Sequence, residues 1–229
     1  VCQDPLYCYR SYTPRAINVA RTVIGWGHYS ISPMHPFSFV WHFGDYPDER
    51  GDTSEFLVLN DINDVGQIVG YEGILGRAVL ITAGTVIRLS DFRSSADAIN
   101  AASHIAGSVY TAADGESHLF LYVDGAMQDL GTMSGGDCYA TGINASDAIV
   151  GWEDRLGGTR AFLYANSRFT DLGSLGSAAS RANAINDAGQ IVGTAGPVYG
   201  PSRAFLYNNG TMHDLNDLVA PLSVPLSEA

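Results

Sequence analysis

The sequence contains no lysine, and charged residues of any kind are scarce. Charged side chains make up 16% of the 229 residues, and twelve arginines stand against twenty-four acidic residues, which gives a net charge of −12. Because phosphate backbones and anionic lipid surfaces repel such a chain, neither nucleic acid nor a membrane surface is an expected partner. Glycine is abundant instead, at 26 residues. This composition favours a turn-rich β protein over a helical one.

Long apolar runs are absent as well. No stretch approaches the roughly 18 consecutive apolar residues of a transmembrane helix. No charged start followed by an apolar run marks a signal peptide at the N-terminus. The chain begins with Val1 rather than Met, and a cleaved export signal is one explanation for that start.

Only three cysteines occur. Cys2 and Cys8 lie six residues apart in a Tyr-rich segment that contains proline, where a small disulfide ring would close in an oxidising compartment. The alternative is that both stay reduced. Cys138 is left over, and we expect it to be a buried, unreactive thiol. No Cys-x-x-Cys pair exists, which excludes a zinc ribbon, a thioredoxin motif and a c-type haem.

A sequence repeat dominates the chain. Ile-Asn occurs five times and ends on Asn18, Asn63, Asn100, Asn144 and Asn186. Seven residues after each asparagine comes a glycine, at Gly25, Gly70, Gly107, Gly151 and Gly193. An apolar triplet follows in each unit and begins at Phe39, Val79, Phe120, Phe162 and Phe205. Three of the units then carry Asp-Leu. Five such coincidences identify the chain as a repeat protein.

Each unit is predicted to form four short strands joined by turns. In the last unit, Asn-Asp-Ala-Gly at 186–189 indicates a tight turn whose glycine takes a positive φ. A second hairpin turns at Asn209-Gly210. Four strands in about 42 residues is the period of a propeller blade. We therefore predict an all-β β-propeller of four-stranded antiparallel blades, with five blades favoured and six, one of them composite, as the alternative.

The repeats predict a single propeller domain over 16–215. Its five units cover about 16–58, 59–96, 97–139, 140–181 and 182–215, between an N-terminal arm at 1–15 and a closing C-terminal arm at 216–229. The first unit differs from the others because 28–56 holds an insertion rich in aromatic residues, histidine and acids. Pro33, Pro36 and Pro47 predict that this insertion is an irregular loop.

The repeat resembles that of the HAF-repeat family. The resemblance is carried by Ala-x-x-Ile-Asn-Asp-x-Gly-Gln-Ile-Val-Gly, then x-Ala-Phe-Leu-Tyr and Asp-Leu-Gly-x-Leu-Gly, and it is best over 182–215 within a match of 16–220. It implies a bacterial, extracellular repeat protein and no particular activity, because repeats define the family. The histidine of the name-giving triplet is present only at His118, with Arg77, Arg160 and Arg203 elsewhere. A histidine chemistry shared by the blades is therefore not expected.

Candidate binding residues come from two places. The position after each repeat glycine holds Trp26, Tyr71, Ser108, Trp152 and Thr194. Aromatic side chains there would stack on sugars or grip a partner, or alternatively fill space between blades. The second place is the 28–56 insertion. The candidate set is Trp26, His28, Tyr29, His35, Trp41, His42, Tyr46, Tyr71 and Trp152.

Three histidines of the insertion, His28, His35 and His42, are spaced by seven residues, which suits one face of a helix. Pro33 and Pro36 argue against a helix here, and no second ligand motif supports a metal site. The sequence therefore predicts no metal and no cofactor.

Acidic residues recur at the hairpins and include Asp61, Asp64, Asp147 and Asp187. Hydrogen bonds from backbone amides to these carboxylates explain their regular place better than calcium, because no Asp-x-Asp-x-Asp-Gly loop occurs. Glutamate is scarce, and none stands in a recognised catalytic motif. Glu153 and Asp154 are expected to form a solvated pair on a loop. No catalytic residue is predicted.

Three functions remain open. The favoured one is a non-catalytic interaction module, an extracytoplasmic propeller that docks on a partner protein as an accessory subunit of a larger envelope or membrane-associated assembly, through 28–56 and the terminal arms. The alternatives are a glycan-binding propeller that uses the repeated aromatic positions and a glycan-active enzyme whose acids come from separate blades. The prediction leans away from an enzyme. A periplasmic, secreted or cell-surface location is expected.

Overall fold

β-strands account for almost all of the fold. The computed structural model describes residues 10–29, 36–44, 48–50, 57–73 and 76–218. Over these residues the chain forms twenty strands and one short helix, α1 (Leu215–Leu218). The chain divides into two compact units, residues 1–103 and 104–229.

The first two sheets lie in the first unit. Sheet one contains β1 (Arg10–Ile17), β2 (Thr22–Tyr29), β3 (Pro36–His42) and β4 (Asp48–Arg50). Sheet two contains β5 (Leu57–Ile62), β6 (Ile68–Glu72), β7 (Arg77–Thr82) and β8 (Thr85–Arg88). The irregular loop expected over 28–56 is therefore strand at 36–42 and 48–50. The apolar triplet that begins at Phe39 explains why β3 forms there.

The remaining three sheets repeat the same plan. Sheet three contains β9 (Ser94–Ile99), β10 (Ile105–Tyr110), β11 (Ser117–Val123) and β12 (Ala126–Gly131). Sheet four contains β13 (Asp137–Ile143), β14 (Ile149–Arg155), β15 (Gly158–Ala165) and β16 (Arg168–Asp171). Sheet five contains β17 (Ala179–Ile185), β18 (Ile191–Gly196), β19 (Arg203–Asn208) and β20 (Thr211–Asp214). The strands of each sheet follow one another in chain order, as in the predicted blades, and the sheets are named blades one to five.

Apolar side chains of consecutive blades form the core. In the first unit, Ile24 and Val40 of blade one share one buried cluster with Leu59, Ile68 and Ile81 of blade two. Similar clusters form in the second unit between blades three and four and between blades four and five. The first residue of each predicted triplet is buried, namely Phe39, Val79, Phe120, Phe162 and Phe205. The repeat therefore encodes packing of one blade on the next.

The repeat glycines lie where the first two strands of a blade approach too closely for a side chain. A Cβ on Gly70 would lie 1.8 Å from the carbonyl oxygen of Val58, and one on Gly151 would lie 1.9 Å from that of Tyr139. A β-bulge in the first strand accompanies each of these two contacts. The repeat requires glycine there because of this close approach, and not because of a positive φ.

The repeat asparagines connect consecutive blades. In the first unit, Asn18 Nδ2 donates to the backbone oxygen of Asn63, and Asn63 Nδ2 to that of Asn100, each at 3.2 Å. In the second unit, Asn144 Nδ2 donates to the backbone oxygen of Asn186 at 3.2 Å. The Oδ1 atom of an asparagine meanwhile accepts a backbone N–H of its own turn, as at Asn144. One side chain therefore closes a hairpin and holds the next blade.

The hairpin turns follow the predicted chemistry. Gly189 has a φ of 76°, which confirms the positive φ expected at this turn. Asp64 accepts the backbone N–H of Val19 at 3.1 Å, and Asp187 accepts that of Ala145 at 2.8 Å. The predicted hydrogen bonds of these two carboxylates to the backbone are confirmed, although their donors lie on the neighbouring blade.

Candidate functional site

The candidates of blade one do not gather on one surface. Trp26 lies on β2 and is 40% exposed, whereas Trp41 lies on β3 and is half-buried. Cross-strand pairing places Trp26 opposite Ser38 and Trp41 opposite Val23. Because side chains alternate along a strand, the two indole rings lie on opposite faces of the sheet.

The remaining candidates are dispersed. His42 Nδ1 lies 3.0 Å from Thr22 Oγ1, its cross-strand partner. Tyr71 is half-buried on β6. The backbones of His28 and Tyr29 end β2. The candidates outside the described residues are His35, Tyr46, Cys2 and Cys8.

Trp152 of blade four contacts two protein groups through its ring. The ring centroid of its cross-strand partner Tyr139 lies 4.3 Å away, with 26° between the ring planes. The guanidinium carbon of Arg181, on β17 of blade five, lies 4.2 Å from the indole centroid. A cation–π contact of this kind contributes about 0.5–2 kcal/mol. Trp152 therefore holds the Arg181 side chain in place between the two blades.

One loop of blade four and one loop of blade five expose large apolar side chains. The turn between β14 and β15 presents Leu156, which is fully exposed. The loop between β18 and β19 presents Val198 and Tyr199, which are 54% and 91% exposed. Asp154 and Gly158, on the strands that flank the turn, line the same cleft as Val198 of the loop. Leu156, Val198 and Tyr199 together are named the loop-pair surface.

The cleft beside the loop-pair surface lies between blades four and five and has a volume of about 400 Å³. Its polar lining consists of Asp154, Thr159, Ser180, Arg181, Thr194 and Ser202. Val198 and Pro197 form an apolar part of the wall. The cleft thus combines one cation, one acid and several hydroxyl groups at the foot of an apolar surface. Sequence reasoning missed it because its walls come from two different repeats.

The prediction of a solvated Glu153 was wrong. Glu153 is fully buried on β14, where its Oε1 accepts the backbone N–H of Ser134 at 2.6 Å and of Gly136 at 3.3 Å. Its other oxygen accepts the Ser134 hydroxyl. The carboxylate therefore orders the segment before β13. Asp154 is exposed, as predicted.

In blades three and five, the residue before the Ala/Leu-Phe of the third strand pairs with the acid of Asp-Leu on the fourth strand. His118 Nδ1 lies 2.8 Å from Asp129 in blade three. Arg203 lies 3.0 Å from Asp214 in blade five. Histidine and arginine both serve in this pair, whereas in blade four Asp171 lies 3.6 Å from Arg155 instead.

His118 contacts a second acid as well. Its Nε2 lies 2.7 Å from Asp114. Burial alone would lower the pKa of His118, but the hydrogen bonds and charges of Asp129 and Asp114 raise it above its ordinary value. Hydrogen bonds from Thr111 and His118 lower the pKa of Asp114 to about 2. The pKa values of His118 and Asp114 therefore both depart from their ordinary values.

Other site classes find no support in the part of the chain that the structure describes. Among the described residues, no group of three or more His, Cys, Asp or Glu side chains is placed to hold a metal ion. No helix among them is long and apolar enough to cross a membrane. Cys138 is buried as predicted, and burial raises its pKa to about 12.

Comparisons with known proteins bear on the fold alone. No family model and no curated protein matches the sequence. The structure is similar to TolB from Acinetobacter baumannii, with 13% identity and a TM-score of 0.55 over 94% of this chain and 53% of that one. It is also similar to a candidate gluconolactonase, with 12% identity and a TM-score of 0.53 over 91% of this chain and 81% of that one.

A further match is the acylaminoacyl peptidase of Pyrococcus horikoshii, with 11% identity and a TM-score of 0.51 over 86% of this chain and 36% of that one. The chain therefore spans about half the length of TolB and about a third of the peptidase. At these identities the likeness carries over the fold and no activity. It agrees with the predicted fold class, and the chain is an all-β β-propeller of five four-stranded antiparallel blades.

Proposed function

We propose that the protein is a non-catalytic, extracytoplasmic propeller that docks on a partner protein as an accessory subunit of a larger envelope or membrane-associated assembly. The loop-pair surface carries the proposal. Leu156 on blade four and Tyr199 on blade five are almost completely exposed, and Val198 precedes Tyr199 in the same loop. Exposed apolar groups next to a polar cleft are typical of protein interaction sites.

Burial of the loop-pair surface would supply part of the free energy of docking. Burying a large apolar side chain contributes about 1.5–3 kcal/mol. Leu156 and Tyr199 together therefore offer a partner about 3–6 kcal/mol, before the cost of ordering the two loops. Interfaces usually depend on a few such anchors, with aromatic residues prominent among them.

The proposed surface differs from the one that the sequence predicted. The 28–56 insertion and the terminal arms lie largely outside the described residues, so their part in docking stays a prediction. A sequence signal for the loop-pair surface does exist. Val198 and Tyr199 stand between Pro197 and Gly200-Pro201, a setting that keeps apolar residues on a loop and out of a strand.

Glycan binding is the second candidate function, and Trp26 is the observation that favours it. Its ring is 40% exposed on β2. The equivalent Tyr71 is half-buried, and the ring of Trp152 already contacts Tyr139 and Arg181. Among the described aromatic positions, Trp26 is therefore the best placed to stack on a sugar. This supports a single subsite rather than a repeated one.

The docking proposal is tested by isolating the protein from its source under gentle detergent and salt and identifying what accompanies it. We expect a stoichiometric companion whose affinity falls about tenfold or more in Leu156→Ser and in Tyr199→Ser, because each change removes one buried anchor. Val65→Ser is the matched control, since Val65 is 73% exposed on a turn of the first unit. Absence of a companion, or equal binding by all three variants, would contradict the proposal.

The location is tested separately. The resemblance to the HAF-repeat family and the Cys2–Cys8 pair support export, since disulfides persist in oxidising compartments. We expect the native protein to fractionate with periplasmic or cell-surface markers and to gain mass on reduction. Free thiols at both positions together with cytoplasmic fractionation would refute export.

A further inference from the structure

Arg181 lies in the cleft between blades four and five with its guanidinium already oriented. The group lies over Trp152, 4.2 Å from the ring centroid, and Tyr139 stacks on the same indole. Within the described residues, the side chain of Arg181 makes no ion pair and donates no hydrogen bond. A cation–π contact uses the flat face of a guanidinium and leaves the N–H groups at its edge able to donate.

Two described arginines outside the cleft, Arg203 and Arg88, pair with acids instead. Arg203 pairs with Asp214 and also donates to the backbone oxygen of Leu175. Arg88 pairs with the buried Glu72. These two arginines serve the fold, whereas Arg181 presents its donors to a cleft.

The net negative charge of the chain limits the places where an anion can bind. With a net charge of −12 and no lysine, most of the surface repels anions. A carboxylate accepts the two parallel N–H groups at the edge of a guanidinium and carries a single negative charge, whereas a phosphate carries more. Arg181 is therefore a favourable place on this protein for a single carboxylate.

Asp154 sets the upper limit on the negative charge of the ligand. It lines the same cleft and lies two residues beyond Trp152 on β14, which is about 7 Å along the strand on the same face. A phosphate or a polyanion would be repelled by this carboxylate. A peptide segment meets both charges, because its acidic side chain reaches Arg181 and its N–H groups face Asp154. The hydroxyl groups of Thr159 and Thr194 supply further hydrogen bonds.

Val198 connects the cleft with the loop-pair surface, because it lines the cleft and is also one of the three residues of that surface. We propose that the cleft receives a glutamate or aspartate side chain from an extended segment of the partner protein, with Arg181 as the carboxylate receptor and an aliphatic neighbour of that residue packed on the loop-pair surface. This inference rests on the proposed docking function. The cleft volume of about 400 Å³ is within the usual range of ligand pockets, about 300–1,000 Å³.

The test uses two peptides that differ in one group, acetyl-Leu-Glu-Gly-amide and acetyl-Leu-Gln-Gly-amide. Their binding to the full chain is measured by calorimetry and by NMR of the arginine Nε–H signals. We expect the Glu peptide to bind at least tenfold more tightly than the Gln peptide and to shift the Arg181 signal, since a charge-assisted pair exceeds a neutral hydrogen bond. Arg181→Gln should abolish the difference. Arg181→Lys should keep part of it, because the charge remains and the fork is lost.

Arg168→Gln is the matched control, because Arg168 is exposed on β16 of blade four and does not line the cleft. It should bind both peptides as the unaltered chain does, and thermal unfolding of every variant verifies that it is folded. Equal affinity of the unaltered chain for the two peptides would overturn the proposal. Undiminished selectivity in folded Arg181→Gln would overturn it too. If acetylglutamate amide binds as tightly as the Glu peptide, the cleft recognises a small free carboxylate and not a protein segment, which would overturn the proposal.

The native companion separates this inference from the proposed function. A complex that is lost in Leu156→Ser but retained in Arg181→Gln would overturn the cleft proposal and leave docking intact. Arg181-dependent selectivity for the Glu peptide, without any native companion, would support the carboxylate site and contradict the docking function.

Discussion

Gly193→Ala is the sharpest test of why the repeat contains glycine. An alanine Cβ at this position would lie 2.1 Å from the carbonyl oxygen of Arg181 and 2.7 Å from the Phe205 ring. Ordinary contacts begin near 3.5 Å, so β17 and β18 would have to move apart by about 1 Å. Overpacking of this kind costs about 1–3 kcal/mol, and one weakened ladder hydrogen bond adds about 1 kcal/mol. We expect a loss of about 2–4 kcal/mol.

Thermal and urea unfolding followed by circular dichroism measure this loss. A change of about 2–4 kcal/mol corresponds to a fall in Tm of about 4–16 °C for a chain of this size. Gly210→Ala is the control in the same blade, because Gly210 has a φ of 81° and open space around its Cβ position. A left-handed alanine costs about 1–2 kcal/mol. The reasoning is refuted if Gly193→Ala is no more destabilising than Gly210→Ala.

Three further outcomes are expected. Asn144→Ala removes the hydrogen bond to the Asn186 backbone and should lower the free energy of unfolding by about 1–3 kcal/mol, which urea titration measures; an unchanged midpoint would contradict the inter-blade role. Because the pKa of His118 is raised, its pairing with Asp129 and Asp114 stabilises the fold fully below pH 6.5, and this stabilisation is lost as pH rises through the raised pKa. It is also lost at the acid end, as Asp114 becomes protonated near pH 2. The fall of Tm with rising pH should therefore disappear in His118→Gln, and an identical pH dependence of Tm in this variant would contradict the stabilising role of His118. Cys138, with its pKa near 12, should react with a thiol reagent at pH 8 only after unfolding, and rapid labelling of the native protein would show otherwise.

The features that could be predicted from the sequence are those that make the same structural contact in every blade. The Ile-Asn position recurs because one asparagine closes a hairpin and bonds to the next blade, as Asn63 does. The glycine seven residues later recurs because two strands meet there without room for Cβ, as at Gly70. Because these contacts recur in every blade, the residues that make them recur at regular spacing in the sequence. That repeat was sufficient to predict the fold class and the number of blades.

Side chains that make a contact in one blade alone do not recur in the sequence repeat. The position two residues after the repeat glycine is buried in every blade, although its residues are Gly27, Glu72, Val109, Glu153 and Ala195. Alternation along the strand explains that burial, although the sequence predicted a solvated Glu153. Alternation was not sufficient to predict that Glu153 would accept hydrogen bonds from Ser134 and Gly136, since that segment precedes β13 and has no counterpart in the repeat motif.

The candidate site follows from the same distinction. The residue five positions before the repeat asparagine is Thr13, Val58, Ser95, Tyr139 or Arg181. Only the last of these is charged, and it lies beside the tryptophan that follows Gly151 in the preceding blade. A cation held by an aromatic ring thus arises where two repeats both depart from the common pattern. The function that it supports is therefore local, and binding at this cleft should saturate at one partner segment per chain, because no other blade has an arginine at the equivalent position.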